Sequence, residues 1–314
     1  MKPKKIIDVH VASKAYPQHG HGIGDAIMMI PVFRAIADAN PDALVRSIVK
    51  RNREQWVHLG YPHTLSYDEL DEAKGAIPLH NECWPQLWES PGGDQHAIDA
   101  GLTRQELWAR DAGVKLSPVK AIIPESARIW AADILHRYVK DKPLVWISPW
   151  ACSVERTWPI RYWAELVDGL LCRGYTIAGI RSSNGIWLDG VMWFEDTCLP
   201  ADRTAALFER AALVIGNDSG MVHVAGFVGA PGLAICGPTD GETIFRSYPS
   251  VRWINSSYFC SGCLGLTHEY NPRWCKLGCN AMTALKPIDV LNRALEILTD
   301  TEKPCDKHGV EILF

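Results

Sequence analysis

The chain has 314 residues, 47% of them apolar and 22% charged, with a formal net charge of −4. That length suits two domains of ordinary size, and a slightly acidic balance without a basic run gives no reason to expect a general polyanion binder. No stretch reaches the ~18 uninterrupted apolar residues of a membrane span.

Met1 to His10 has a basic head with no long apolar region behind it, so it reads as a first strand and not as a signal peptide. Ten cysteines behind such a start point to thiols in a reducing compartment, and a cytoplasmic protein is expected. Thirteen tryptophans are more than surface roles would use, so most belong in the core or between domains, with one or two left to stack on a sugar.

Ile6 to Ala12 is predicted as the first strand. A glycine-rich loop follows, with Gly20, Gly22 and Gly24 wrongly spaced for a dinucleotide fingerprint. An amphipathic helix is predicted over Ala26 to Ala39, with Asp25 as a carboxylate at its N-cap. Asp42–Val49 and Ala76–Leu79 read as strands, Arg53–Leu59 as a short helix, and Asn81–Asp99 as irregular chain. Thr103–Ala112 and Ser126–Lys140 read as helices, and Lys140 to Pro143 as an interdomain linker. Leu144–Ser148 then opens a second domain, with a loop to Pro159, a helix over Ile160–Arg173 and a strand over Thr176–Ile180.

Leu213 to Asp240 is the most informative stretch. Leu213-Val214-Ile215 is a short apolar run suited to a strand buried on both faces of a parallel sheet. Gly216 to Gly220 is too small and polar to continue it. Met221, Val222, Ala225 and Val228 recur at helical spacing behind Asp218 and Ser219, both good caps. Gly229-Ala230-Pro231 ends that helix, and Gly232 to Cys236 is the next strand. A helix starting at the carboxyl end of a parallel strand directs its free N–H groups into the crevice above the sheet, where an anion such as phosphate is well held. An ordinary well-capped turn is the competing explanation.

The wording of this stretch, Asp218-Ser219-Gly220 with His223 and Ala225, then the Gly-Ala-Pro turn and Gly237-Pro238-Thr239-Asp240, resembles the donor-binding segment of the bacterial heptosyltransferases, glycosyltransferase family 9. Gly22, Gly24 and Asp25, with Pro31 behind them, resemble the family's opening loop. Pro149 to Pro159 resembles its small-residue loop, with Arg156 where the family has a lysine. The resemblance implies the α/β GT-B fold: two Rossmann-like domains facing a cleft, here residues 1–142 for the acceptor and 143–314 for a nucleotide-sugar. It also implies that Asp25 is the catalytic base, with Gly22 and Gly24 in the loop near it. Ser219 and Gly220 would bind the diphosphate with Arg156, and Asp218, His223 and Thr239 would belong to the donor site. Nucleobase and ribose contacts are expected near Leu199 to Asp202, and the last helix, Pro287–Leu298, often crosses back to the first domain in such proteins.

The implied reaction is an inverting sugar transfer without a catalytic metal, with ADP-heptose as the family's typical donor. The acceptor stays open among lipopolysaccharide core, a protein, a small metabolite and a modified nucleobase. A nucleotide-sugar epimerase or hydrolase, or a non-catalytic binding protein, would share the cleft; Asp25 speaks against the last. Separately, Cys260, Cys263, Cys275 and Cys279 are spaced to close a tetrahedral site for structural zinc or iron, against the alternative of four thiols or a conditional disulfide. An iron-binding cysteine cluster at this place is known in one branch of the family.

Overall fold

The computed structural model describes residues 5–10, 22–49, 52–66, 77–78, 95–139, 142–151, 153–181, 187–195, 199–263 and 279–302. Two parallel sheets organise them. In the first, β1 (Lys5–His10), β2 (Ala43–Val49), β3 (Thr64–Ser66) and β4 (Ile77–Pro78) lie in the order β3-β2-β1-β4. In the second, β5 (Leu144–Ser148), β6 (Thr176–Arg181), β7 (Val191–Glu195), β8 (Leu213–Asn217), β9 (Gly232–Cys236) and β10 (Val251–Asn255) lie in the order β10-β9-β8-β5-β6-β7. Every strand pairing is parallel. Both orders reverse beside the sheet's first strand, between β1 and β4 and between β5 and β8. Crevices outside the strand ends at such reversals are where doubly wound sheets bind ligands.

The central strands of the second sheet show why their sequences are apolar throughout. Successive side chains of a strand point to opposite faces. Trp146, Val214, Ala234 and Cys236 therefore join the core shared with the first domain, whereas Val145, Ile147, Leu213, Ile215, Leu233 and Ile235 join a separate core on the other face. That second core is closed by α6 (Ile160–Leu171), which presents Trp163, Leu166 and Leu170, and by the last helix, α11 (Pro287–Glu302). The final helix packs on α6 and β8 within the second unit. Trp146, Trp158 and Trp163 are fully buried, as their number suggested.

Between the sheets lies α1 (Ile23–Ala39), packed against β2 on its own side and against α8 (Gly220–Val228) of the other. The amphipathic pattern expected of it is therefore blurred, since residues from Ala26 to Ile36 are buried around most of the helix. The helix also begins three residues earlier than expected, with Gly22 as its cap and Asp25 in its first turn. In the stretch from Leu213 to Asp240, β8 continues through Gly216 and Asn217, because both still pair in register with neighbouring strands. Gly229 closes α8 at φ 81°, the left-handed conformation that glycine adopts without a Cβ penalty.

The remaining helices are α2 (Glu54–Val57), α3 (Gln95–Asp99), α4 (Arg104–Asp111), α5 (Glu125–Tyr138), α7 (Ala201–Phe208), α9 (Gly241–Phe245) and α10 (Asn280–Ala284). No described helix is long and apolar enough to cross a membrane. Residues 140–141 of the expected linker and 81–94 of the irregular stretch lie outside the described residues.

Candidate active site

A cleft of about 670 Å³ opens between the two sheets at their points of reversal. One wall is the start of α1. Gly22 holds an extended conformation, and its N–H donates to Asp25 Oδ2 at 3.0 Å. This is half of a capping box; the other half is missing because glycine has no side chain to return the bond. The carboxylate thus lies at the positive end of its own helix. Asp25 Oδ1 lies 4.0 Å from an Arg104 guanidinium nitrogen, an ion pair of largely sheltered partners.

The opposite wall is the start of α8. Ser219 is its cap residue in extended backbone, yet the hydroxyl makes no cap bond, and Ser219 Oγ is buried with no partner among the described residues. No acidic side chain lies in the first turn of α8. The helix therefore keeps its positive end turned to the cleft.

Asp218, the residue before that cap, is buried and held from two sides. Arg156 Nη1 donates to Asp218 Oδ2 at 3.2 Å and to the Asp218 carbonyl at 3.3 Å. His223 Nε2 stands 3.8 Å from Asp218 Oδ1, close enough for charge to act but too far for a hydrogen bond. Burial works to raise the Asp218 carboxyl, but His223 and the positive charges of Arg156 and Arg104 outweigh it and hold it well below the usual carboxylate range. Arg156 ends a 3-10 turn (Val154–Arg156), and its Nε donates to Ser153 Oγ at 3.3 Å. Two residues on, Trp158 N donates to Asn217 Oδ1 at 3.1 Å, pinning this loop to the end of β8.

His223 stacks on Phe245 at 4.8 Å and meets Tyr248 edge-on at 5.7 Å. Its ring also touches α1: a Cβ built on Gly24 would lie 2.6 Å from His223 Cδ2. A Cβ on Gly220 would lie 2.7 Å from Ile23 Cβ. The two glycines let the helix starts abut, a role that spacing within either motif did not disclose.

Of the residues singled out from sequence, Gly22, Gly24, Asp25, Arg156, Asp218, Ser219, Gly220 and His223 all line this one cleft. Thr239 is not in the lining; it is buried beside Cys236, on the segment that follows β9. Leu199 and Asp202 also fall away from the lining: Leu199 is in the core and Asp202 Oδ1 accepts from the N–H of Arg203. Sequence reading missed Arg53, Arg104, Ser148, Trp150, Arg181 and Glu195, which complete the walls. For Arg104 a signal existed. Thr103 and Glu106 form a full capping box around it, with bonds of 3.3 and 2.7 Å, and so fix it as the first residue of α4. That α4 would pack beside α1 is a tertiary fact.

Cys260 and Cys263 lie on one turn, tied by Cys263 N donating to the Cys260 carbonyl at 3.2 Å, and this turn is anchored to Gly237 after β9. Cys279 is the cap residue of α10, and Cys260 and Cys279 pack against the same core. Cys275 lies outside the described residues, and among those described no group of three or more His, Cys, Asp or Glu side chains is placed to hold a metal.

Residues 201–272 match the family model described as glycosyltransferase family 9 (heptosyltransferase). No curated protein matches the chain by sequence. Among solved structures, the ADP-heptose lps heptosyltransferase II of E. coli superposes with a TM-score of 0.63 at 14% identity, covering 95% of this chain and 99% of that one. The glycosyl transferase family 9 protein of Veillonella parvula gives 0.64 at 16%, covering 96% and 99%. TibC of enterotoxigenic E. coli, an iron-containing dodecameric glycosyltransferase, gives 0.67 at 16%, covering 96% of this chain and 77% of its own. At these identities the likeness speaks for the fold, which is GT-B.

Proposed function

We propose, for a chain that belongs to glycosyltransferase family 9 through residues 201–272 and has the GT-B fold, an inverting transfer of heptose from ADP-heptose to an acceptor hydroxyl. The observation that carries this reading is the meeting of opposites across one cleft. Asp25, a held carboxylate, faces the open N-terminus of α8 and the Arg156–Asp218 pair. In the proposed reaction the acceptor oxygen attacks the anomeric carbon as Asp25 takes its proton. The bond from that carbon to the diphosphate breaks, and the departing charge is received by the start of α8, the Ser219 hydroxyl and Arg156. Arg156 is a suitable replacement for lysine there, because a guanidinium offers several donors in a fixed fork. Residues 1–142 and 143–314 would be the acceptor and donor domains. Cys260, Cys263, Cys275 and Cys279 would hold a structural zinc or iron, which supplies fold stability and takes no part in the transfer.

The ADP-heptose of this reading is also what one solved neighbour binds: TibC is known in complex with ADP-D-beta-D-heptose, at 17% identity and a TM-score of 0.65. The test is native mass spectrometry of untagged protein with calorimetry. The expected results are about one zinc or iron per chain and tighter binding of ADP than of UDP. ADP-heptose should be consumed with release of ADP. Consumption that returns an isomerised donor and no ADP would make the protein an epimerase. Failure to bind either nucleotide would remove the donor assignment.

A further inference from the structure

Three consecutive residues after α9, Arg246-Ser247-Tyr248, grip the first turn of α4 from the other domain. Ser247 Oγ donates to Thr103 Oγ1 at 2.7 Å. Arg246 Nη2 donates to Glu106 Oε2 at 2.9 Å and to the Gly101 carbonyl at 2.8 Å. Gln105 Nε2 donates to the Tyr248 hydroxyl at 3.1 Å, and both of these residues are buried. Thr103 and Glu106 are the two members of the capping box that begins α4. The donor side of the molecule therefore holds the cap that aims Arg104, and Arg104 lies 4.0 Å from Asp25.

We infer that Arg104 is a positioning residue for the Asp25 carboxylate, and that the Arg246-Ser247-Tyr248 triplet sets Arg104 in place; this rests on Asp25 being the base. At 4.0 Å the guanidinium steadies the carboxylate by charge without occupying Oδ1 in a hydrogen bond. Oδ2 is meanwhile held by the Gly22 N–H. The pair so fixes the carboxylate from both ends and keeps Oδ1 directed for a proton. The same triplet reaches the donor motif, since the Tyr248 ring flanks His223, which contacts Gly24 and stands by Asp218. Alignment of the base and seating of the donor thus share one interdomain latch.

The full chain is assayed for ADP release from ADP-heptose. Arg104→Ala lowers kcat by about 10- to 100-fold, the scale of a misplaced catalytic group, with KM for ADP-heptose unchanged. Arg104→Lys recovers part of the loss. In an Asp25→Asn background, Arg104→Ala changes kcat by less than about twofold, because nothing remains to be positioned. Multiplying losses in the double variant, or full kcat in Arg104→Ala beside an impaired Asp25→Asn, overturns the inference. Wild-type kcat in Asp25→Asn itself shows instead that the base was misassigned, and the inference falls with it. A readout without turnover is amide exchange at Gly22: Arg104→Ala and Arg246→Ala should each speed it. Unchanged protection in both overturns the latch whatever the substrate.

Discussion

α1 and α8 each follow the strand at which their sheet reverses, and each starts from an extended cap residue with a glycine in or beside its first turn, yet only α1 carries an acidic side chain in its first turn. In α1 the Asp25 carboxylate accepts from the cap N–H and meets the helix dipole itself. In α8 the nearby carboxylate, Asp218, points away into Arg156, so it does not neutralise the helix start. One local geometry thus serves two chemical ends. A helix start that supplies its own anion presents a carboxylate to the cleft, whereas one whose anion is paired elsewhere presents donors to it. Because Gly24 and Gly220 let these starts touch, the two ends face the same small volume.

The comparison breaks most readily at Asp25. Asp25→Asn keeps the size of the side chain but removes the proposed base, and turnover is expected to fall by roughly 100- to 10,000-fold. Affinity for ADP, proposed to bind at the other wall, should be unaltered by calorimetry. Near-wild-type turnover would leave Asp25 as a cap alone, and the two helix starts would differ only in electrostatics.

The contact between the starts is tested next. Gly220→Val places side-chain atoms where Ile23 stands and should force α1 and α8 apart. A loss of about 1–3 kcal/mol is expected from such overpacking, seen as a lower Tm, together with weaker ADP binding. Gly24→Ala should do the same through His223. A variant with weaker ADP binding but unchanged Tm would show that Gly220 serves approach of the ligand and not the meeting of the helices.

The last test concerns the pairing that frees α8 from its neighbouring carboxylate. Asp218 is held below the usual carboxylate range, so the stability it contributes is complete above roughly pH 4 and is lost as pH falls below that. Arg156→Ala removes one of the charges responsible. Its acid-unfolding midpoint should move to higher pH, with a loss of roughly 1–3 kcal/mol near neutrality from the unpaired buried group. Circular dichroism across an acid titration reads both, and an unmoved midpoint would assign the hold on Asp218 to His223 and Arg104.

How much of this was legible in the sequence follows from the range of each cause. Leu213 to Ile215 and Leu144 to Ser148 announced buried parallel strands because burial on both faces leaves no polar position to disguise the run. The cap of α8 and the glycine that ends it were likewise legible, since capping is settled within four residues. The edge strands β3, β7 and β10 were not. Val191 to Glu195 and Val251 to Asn255 alternate only weakly and are only partly buried. Their strand state comes from partners far along the chain.

In the site, the sequence singled out Asp25, Arg156 and the run from Asp218 to His223, most of which the structure brings to one cleft. Thr239, whose motif neighbours suggested a ligand, follows β9 and is buried beside Cys236, outside the cleft lining. What only the tertiary structure decided is adjacency. Among the described residues, Arg104 is separated from Asp25 by β2, β3 and β4 and by the helices α2 and α3, and Gly24 from His223 by strands of both sheets. No local rule relates residues that meet only because two sheets pack through α1 and α8. The sequence determined what each wall of the cleft is made of, while packing of buried faces, which acts without regard to distance along the chain, decided that the walls face each other.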